Sequence, residues 1–264
     1  MMLDINDEGL PQDLIMNPVR EEYATKMLPQ IIKSGDCVVD IGANMGYYAL
    51  LESKLVGRNG VVYAIEPVKK TFGILQQNIA LNNYGNIEPI NIGIGEKKGI
   101  ATMFIGNHSN LNSMTIVPGM ITEQINVQID SLDHFLAGRK SPKFIRMDVE
   151  GYEYDILKGM IGLLNGGEKL TILMELHFHL LDRHKSTKIL NSLKDHGFEI
   201  LITTFEPTVG IRNRYLLHLR DFLETRLISA PVTHGYWEVS IDGILNNKDI
   251  MNGKFDALEI FFQR

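Results

Sequence analysis

The segment Val38-Val39-Asp40-Ile41-Gly42-Ala43-Asn44-Met45-Gly46 constrains the fold of this chain more than any other. Cys37–Ile41 reads as a strand buried on both faces. It passes straight into a glycine-containing turn, and a helical pattern follows from about Tyr47 to Val56, with Tyr47, Leu50, Leu51 and Leu55 as its apolar face and Gly57 as a cap. Glycines let the backbone take positive φ and pass close to a ligand. The helix start adds exposed N–H groups and a partial positive charge, which suits a phosphate or the carboxylate of an amino-acid moiety. The spacing Gly42-x-Asn44-x-Gly46 is not the Gly-x-Gly-x-x-Gly of a dinucleotide site.

The rest of the chain alternates strand and helix, the pattern of a mostly parallel sheet with crossover helices on both faces, an α/β Rossmann-like fold. A leading helical segment over 10–34 has Met27, Leu28, Ile31 and Ile32 on one face, so residues 1–35 are expected to precede a main domain of 36–264. Further strands are expected at Gly60–Ile65, Ile87–Ile94, Phe144–Val149, Thr171–Leu176 and Phe198–Thr204. Helices are expected at Val68–Asn83, Tyr152–Leu164 and Lys185–His196. Ala101–Ile105 and Ile125–Ile129 alternate like half-exposed strands, and Tyr236–Ile241 and Ala257–Phe262 read as a closing strand pair. Residues 207–234 break the rhythm and suggest a cap over the sheet edge.

Composition narrows the function class. The net charge is −6, and no long Lys/Arg run is present. A polynucleotide partner would favour a basic stripe, so a small-molecule or glycan substrate is expected over nucleic acid. The single cysteine, Cys37, excludes an intramolecular disulfide. With no basic-then-apolar leader and no apolar stretch of about 20 residues, a cytoplasmic protein without a membrane span is the expectation.

Two acids sharpen the reading of the turn. Asp40, ending the first strand, could bind an ammonium directly or through water, and it would be unwelcome beside a pyrophosphate. Glu66, ending the second strand, could accept both ribose hydroxyls, and Pro67 suits the first turn of a helix. Together they favour an amino-acid-bearing nucleoside cofactor.

The run Asp40-Ile41-Gly42-Ala43-Asn44-x-Gly46-Tyr47-Tyr48, then Ile65-Glu66-Pro67 and Gln77-Asn78-Ile79-x-Leu81-Asn82, resembles the FkbM family of methyltransferases. So does Met147-Asp148-Val149-Glu150-Gly151-Tyr152-Glu153 followed by Ile156-Leu157-x-Gly159, and the resemblance spans about residues 36–180. It implies a class I methyltransferase fold with a reversed last strand, S-adenosylmethionine as cofactor, and methyl transfer to an oxygen, often on a sugar or a natural-product hydroxyl. The cofactor site would then comprise Asp40, Gly42, Ala43, Asn44, Gly46, Tyr47, Glu66, Pro67 and Asp148.

Methyl transfer from a sulfonium mainly needs alignment, but a hydroxyl acceptor must also lose a proton. Strand ends are where an open α/β sheet places such groups. Alternation puts Asp148 and Glu150 on one side of the fourth strand, and Glu175, His177 and His179 on one side of the fifth if it persists. Three readings of these groups stay open. His177 could be the base, since imidazole titrates near neutrality. Asp148 or Glu150 could act itself, although Glu150 could equally cap the following helix. Or Asp148, Glu150, Glu175 and His177 could hold a divalent metal, which the resemblance does not require. Asn110, Asn112 and Ser113 could form a lid for hydroxyl-rich ligands. Gly93-Ile94-Gly95 stands where many methyltransferases have an acid that reads adenine. An RNA methyltransferase and a non-catalytic protein of the same fold are the alternatives; Asp148-Val149-Glu150-Gly151 is not the Asn/Asp-Pro-Pro-Tyr/Phe turn used on exocyclic amines.

Overall fold

A computed structural model describes residues 1–4, 7, 9–17, 19–106, 108–115, 121–204, 236–237, 239–255 and 257–264. The cap expected at 207–234 lies outside the described residues.

The leading segment forms two helices, α1 (Leu10–Met16) and α2 (Glu22–Ile31). Then come β1 (Cys37–Ile41), α3 (Tyr47–Val56), β2 (Val61–Ile65), α4 (Lys69–Asn82) and β3 (Ile87–Ile90). A short strand β4 (Gly93–Gly95) and the antiparallel pair β5 (Gly99–Gly106) and β6 (Ile121–Ser131) form a separate three-stranded sheet in the order β4-β6-β5. After α5 (Leu132–Phe135) the main sheet resumes with β7 (Phe144–Met147), α6 (Glu153–Lys158), α7 (Ile161–Asn165), β8 (Thr171–Leu176), α8 (Arg183–Asp195) and β9 (Glu199–Thr204). The described C-terminal elements are β10 (Tyr236–Trp237), α9 (Ile241–Asn246), α10 (Lys248–Met251) and β11 (Leu258–Gln263).

The eight-stranded sheet has the order β10-β9-β11-β8-β7-β1-β2-β3. Strands β8, β7, β1, β2 and β3 pair in parallel, and β11 runs antiparallel between β8 and β9. The parallel sheet with a reversed last strand is therefore as expected. Its order reverses at β1, so a crevice opens at the carboxyl ends of β1 and β7, where such sheets bind ligands. Helices cover both faces. Val39, Ile41, Ile145, Met147 and Met174 pack with Ile156, Leu157 and Ile189 on one side. On the other, Val38, Phe144 and Leu173 pack with Leu28, Ala49 and Leu75.

Four expectations are corrected. The third strand stops at Ile90: the side-chain amide of Asn91 donates to the carbonyls of Glu66 and Pro67, tying the chain to the turn after β2, and Gly93–Gly95 then joins the second sheet. The helix expected over Tyr152–Leu164 is two helices, broken at Gly159, where a Cβ would meet the carbonyl oxygen of Gly95 at 1.9 Å. Of the described residues in the strand expected to run to Ile241, Tyr236–Trp237 pair in the sheet, whereas Ser240 caps a helix by accepting from Gly243 N–H and places Ile241 and Ile244 inward. The inward residues of α3 are Tyr48, Ala49, Leu50, Glu52, Ser53 and Val56, so of the expected apolar face Leu50 is buried and Tyr47, Leu51 and Leu55 are only partly so. Leucine spacing misses the rest of it because two polar residues, Glu52 and Ser53, lie on it.

Glu52 gives a stability test. It is fully buried, neither oxygen has a partner among the described residues, and burial, reinforced by Asp40, pushes its pKa well above the usual range. In the unfolded chain it ionises near its ordinary 4.5. Its contribution therefore becomes steadily less favourable as pH rises from there towards the native pKa. Glu52→Gln should raise stability at pH 8 by roughly 1–2 kcal/mol, a few degrees in Tm, with a smaller gain at pH 4. Melts showing no gain at pH 8 would contradict this.

Candidate active site

Three turns meet at the crevice. After β1 the chain enters Gly42 at φ 83°, Asn44 at φ 49° and Gly46 at φ 94°. Gly42 has to be glycine, since a Cβ there would stand 2.0 Å from the carbonyl oxygen of Asp148. After β2 come Glu66 and Pro67. After β7, which ends at Met147, Asp148–Gly151 turns sharply, with Glu150 at φ 50° and Gly151 at φ 89°. Alternation beyond Met147 therefore does not govern Asp148 and Glu150. Left-handed backbone at a glutamate is a strained conformation that such sites hold by surrounding contacts. Here Ser113 Oγ donates to the carbonyl of Glu150, and Thr115 Oγ1 to that of Gly151.

The crevice is a cavity with about 810 Å³ of space including its open mouth. Its walls include Gly42, Ala43, Asn44, Tyr47, Glu66, Pro67, Asp148 and Glu150. Glu66 is buried, accepting the N–H of Asn44 at 3.0 Å and that of Val68 at 2.8 Å. Burial outweighs those two bonds and pushes its pKa up to about 7. Beside it Ile65, Pro67, Ile94, Met103 and Met114 make an apolar wall. Asn44 Nδ2 donates to the carbonyl of Ser109 at 3.2 Å, which brings the 109–113 segment over this end.

Asp40 differs from expectation. The β1–β7 register sets it directly opposite Arg146, on the α3 face of the sheet. It is fully buried and accepts from Arg146 Nη1 at 3.2 Å, while Arg146 Nη2 donates to Asp148 at 2.9 Å. Asp40 thus reaches the cavity through Arg146, and of the two aspartates it is Asp148 that lines the cavity wall. The turn's N–H groups also differ from expectation. Those of Gly42 and Ala43 go to the carbonyl of Ile65, that of Asn44 to Glu66, that of Met45 to Asn44 Oδ1, and that of Gly46 to the carbonyl of Ala43.

At the acceptor side, His177 is buried. Its Nδ1 lies 2.7 Å from Glu153 Oε1, and its Nε2 lies 3.3 Å from Glu150 and 3.8 Å from Glu175. Burial alone would lower its pKa, but Glu150, Glu153 and Glu175 outweigh that and raise it well above normal. These neighbours favour the protonated ring, in which both nitrogens donate. Burial lifts Glu150 to about 7, against the pull of His177. Burial and then Asp148 push the Glu175 pKa well above its ordinary value, against the pull of His177. Asp148, Glu175 and His177 bring potential ligand atoms within 4.8 Å of one another, and a metal held there would have to take the place of a proton on His177. His179 is exposed. Sequence reasoning missed Arg20, Arg146 and Glu153. Arg146 carried a signal, being a charge inside an otherwise apolar strand two residues before Asp148.

The Methyltransferase FkbM domain model matches residues 40–200. Methyltransferase 1 of Beauveria bassiana is 25% identical over 144 residues, covering 47% of this chain and 57% of that protein. Hexuronic acid methyltransferase AglP of Haloferax volcanii is 27% identical over 184 residues, covering 66% of this chain and 69% of that protein. A solved S-adenosylmethionine-dependent O-methyltransferase from Thermotoga maritima matches with a TM-score of 0.48 and 15% identity, over 96% of this chain and 70% of that one. The fold is that of a class I S-adenosylmethionine-dependent methyltransferase. The chain belongs to the FkbM methyltransferase family. Among the described residues no helix is long and apolar enough to cross a membrane.

Proposed function

We propose that this methyltransferase acts on a hydroxyl oxygen of a sugar, glycan or small hydroxylated metabolite, with Glu150 as general base. The observation that carries the reading is a cavity-lining carboxylate held near pH 7, 3.3 Å from a buried imidazolium. A base titrating near the working pH is the most effective. The name of the AglP relative, a hexuronic acid methyltransferase, supports a sugar-type acceptor. When bound, S-adenosylmethionine supplies the methyl group and its sulfonium leaving group. Glu66 would receive ribose hydroxyls, and the apolar wall of Pro67, Ile94 and Met103 would cover the adenine. Gly42, Ala43, Asn44, Gly46 and Tyr47 shape the backbone around the cofactor, and Asp40 holds Arg146 and, through it, Asp148. Glu150 takes the acceptor's proton as the oxygen attacks, and His177 stabilises the charge that Glu150 carries before the transfer.

Methyl transfer from labelled S-adenosylmethionine should appear with uronic acids, glycosides or small polyols and survive a chelator. Labelling of RNA alone would overturn the acceptor class. Loss of transfer in chelator, restored by a divalent metal, would overturn the metal-free base.

A further inference from the structure

The corrected turn leaves a question of chemistry. An amino-acid-bearing cofactor presents a carboxylate and an ammonium, yet the N–H groups of residues 42–46 are already bonded within the fold. The partners for that zwitterion must come from elsewhere on the cavity wall.

Arg20 and Arg146 are the Lys/Arg side chains among the described residues lining the cavity. Arg146 is committed to Asp40 and Asp148. Arg20 lies just ahead of α2, its N–H donating to Tyr47 Oη at 3.0 Å, which fixes it against the first turn of α3. Its carbonyl accepts from Thr25 Oγ1 at 2.7 Å, and its Nε donates to Glu21. Glu21 is itself pinned, at φ 46° and bonded by Tyr48 Oη. The backbone of Arg20 is thus fixed, and its guanidinium is tied through Nε to Glu21 at the cavity wall, with the side chain 21% exposed. The start of α3 beside it has Gly46 at the cap and no capping side chain. Two sources of positive potential therefore flank one part of the cavity, and Asp148 stands on the same wall.

We propose that Arg20 is the seat for the carboxylate of the cofactor's methionyl end, with Asp148 facing its ammonium. This rests on the family's use of S-adenosylmethionine and not on the choice of acceptor. A planar fork of donors suits a carboxylate, and a lysine would match it less well.

The test is calorimetric binding of three ligands: S-adenosylhomocysteine, its decarboxylated analogue, and methylthioadenosine, which lacks the amino-acid end. Wild type should bind S-adenosylhomocysteine at least ~30-fold more tightly than the decarboxylated analogue. Arg20→Gln should abolish that difference while keeping the affinity for methylthioadenosine, which also shows that the variant is folded. Arg20→Lys should restore part of it. Equal weakening for all three ligands would mean a structural role and overturn the proposal. Unchanged S-adenosylhomocysteine binding, with a raised KM for an acidic acceptor, would move the carboxylate to the substrate and overturn it equally. If wild type bound none of the three, the cofactor assignment itself would fail, a result distinct from either.

Discussion

Glu66→Ala should weaken S-adenosylhomocysteine binding by at least ~100-fold, about 2.7 kcal/mol, in a calorimetric titration. Two effects add. A carboxylate accepting ribose hydroxyls makes charge-assisted bonds, each worth roughly 1.5–3 kcal/mol. The same carboxylate also accepts the N–H groups of Asn44 and Val68, so its removal leaves the turn after β1 and the start of α4 without a shared anchor. Glu66→Gln separates the two, because an amide oxygen keeps one of the N–H bonds but loses the charge. It should fall between wild type and alanine. The pH dependence has a definite sign. Burial lifts Glu66 to about 7, and the ribose hydroxyls favour its ionised form, so affinity should rise with pH between about 6 and 8. Alanine should flatten that slope. Binding within threefold of wild type in Glu66→Ala would remove Glu66 from the cofactor site.

The main sheet was legible because its strands are short apolar runs bounded by breakers; Cys37–Ile41, Tyr47–Val56 and Thr171–Leu176 have the expected bounds. What failed was direction. Asp40 sits at a strand end like Glu66, and sequence cannot tell that register sets it across from Arg146, beneath α3. Glu150 looked like the next position of an alternating strand, but the strand ends three residues earlier and a left-handed residue re-aims it. The three open roles for His177 turned on its neighbours. Glu153 was visible only as part of a motif, yet it is fully buried, and its Oε1 bonds Nδ1 while Oε2 has no partner among the described residues. Three acidic side chains around one imidazole, Glu150 first among them, push the pKa of a residue that ordinarily titrates near neutrality well upwards. That is a property of packing, not of spacing. Arg20 had no sequence signal: it lies far ahead of Asp148 in the chain, before the first strand of the sheet, and only folding brings it to the cavity wall.

Glu150→Gln should lower kcat by roughly 10²–10⁴-fold, the range for losing a general base, with S-adenosylhomocysteine affinity changed little. The wild-type rate should rise with pH and level off above about 7, because the base works only when ionised and Glu150 gives up its proton there. His177 supplies the sharper test. Its charge pulls the Glu150 pKa down, against burial and against the repulsion of Asp148 and Glu153. Arg20 adds a smaller pull in the same direction, the Glu175 pKa is raised by burial nearby, and the ring of His179 lies 6.0 Å from that of His177. Replacing the cation by a neutral side chain in His177→Gln should therefore move the acid limb of the kcat/KM profile to higher pH, by about one unit or more, while leaving a measurable plateau at alkaline pH. If His177 were the base, the same variant would lose the plateau itself, and Glu150→Gln would keep one. The two variants thus exchange phenotypes between the two assignments, and a pH profile of each decides which group takes the proton.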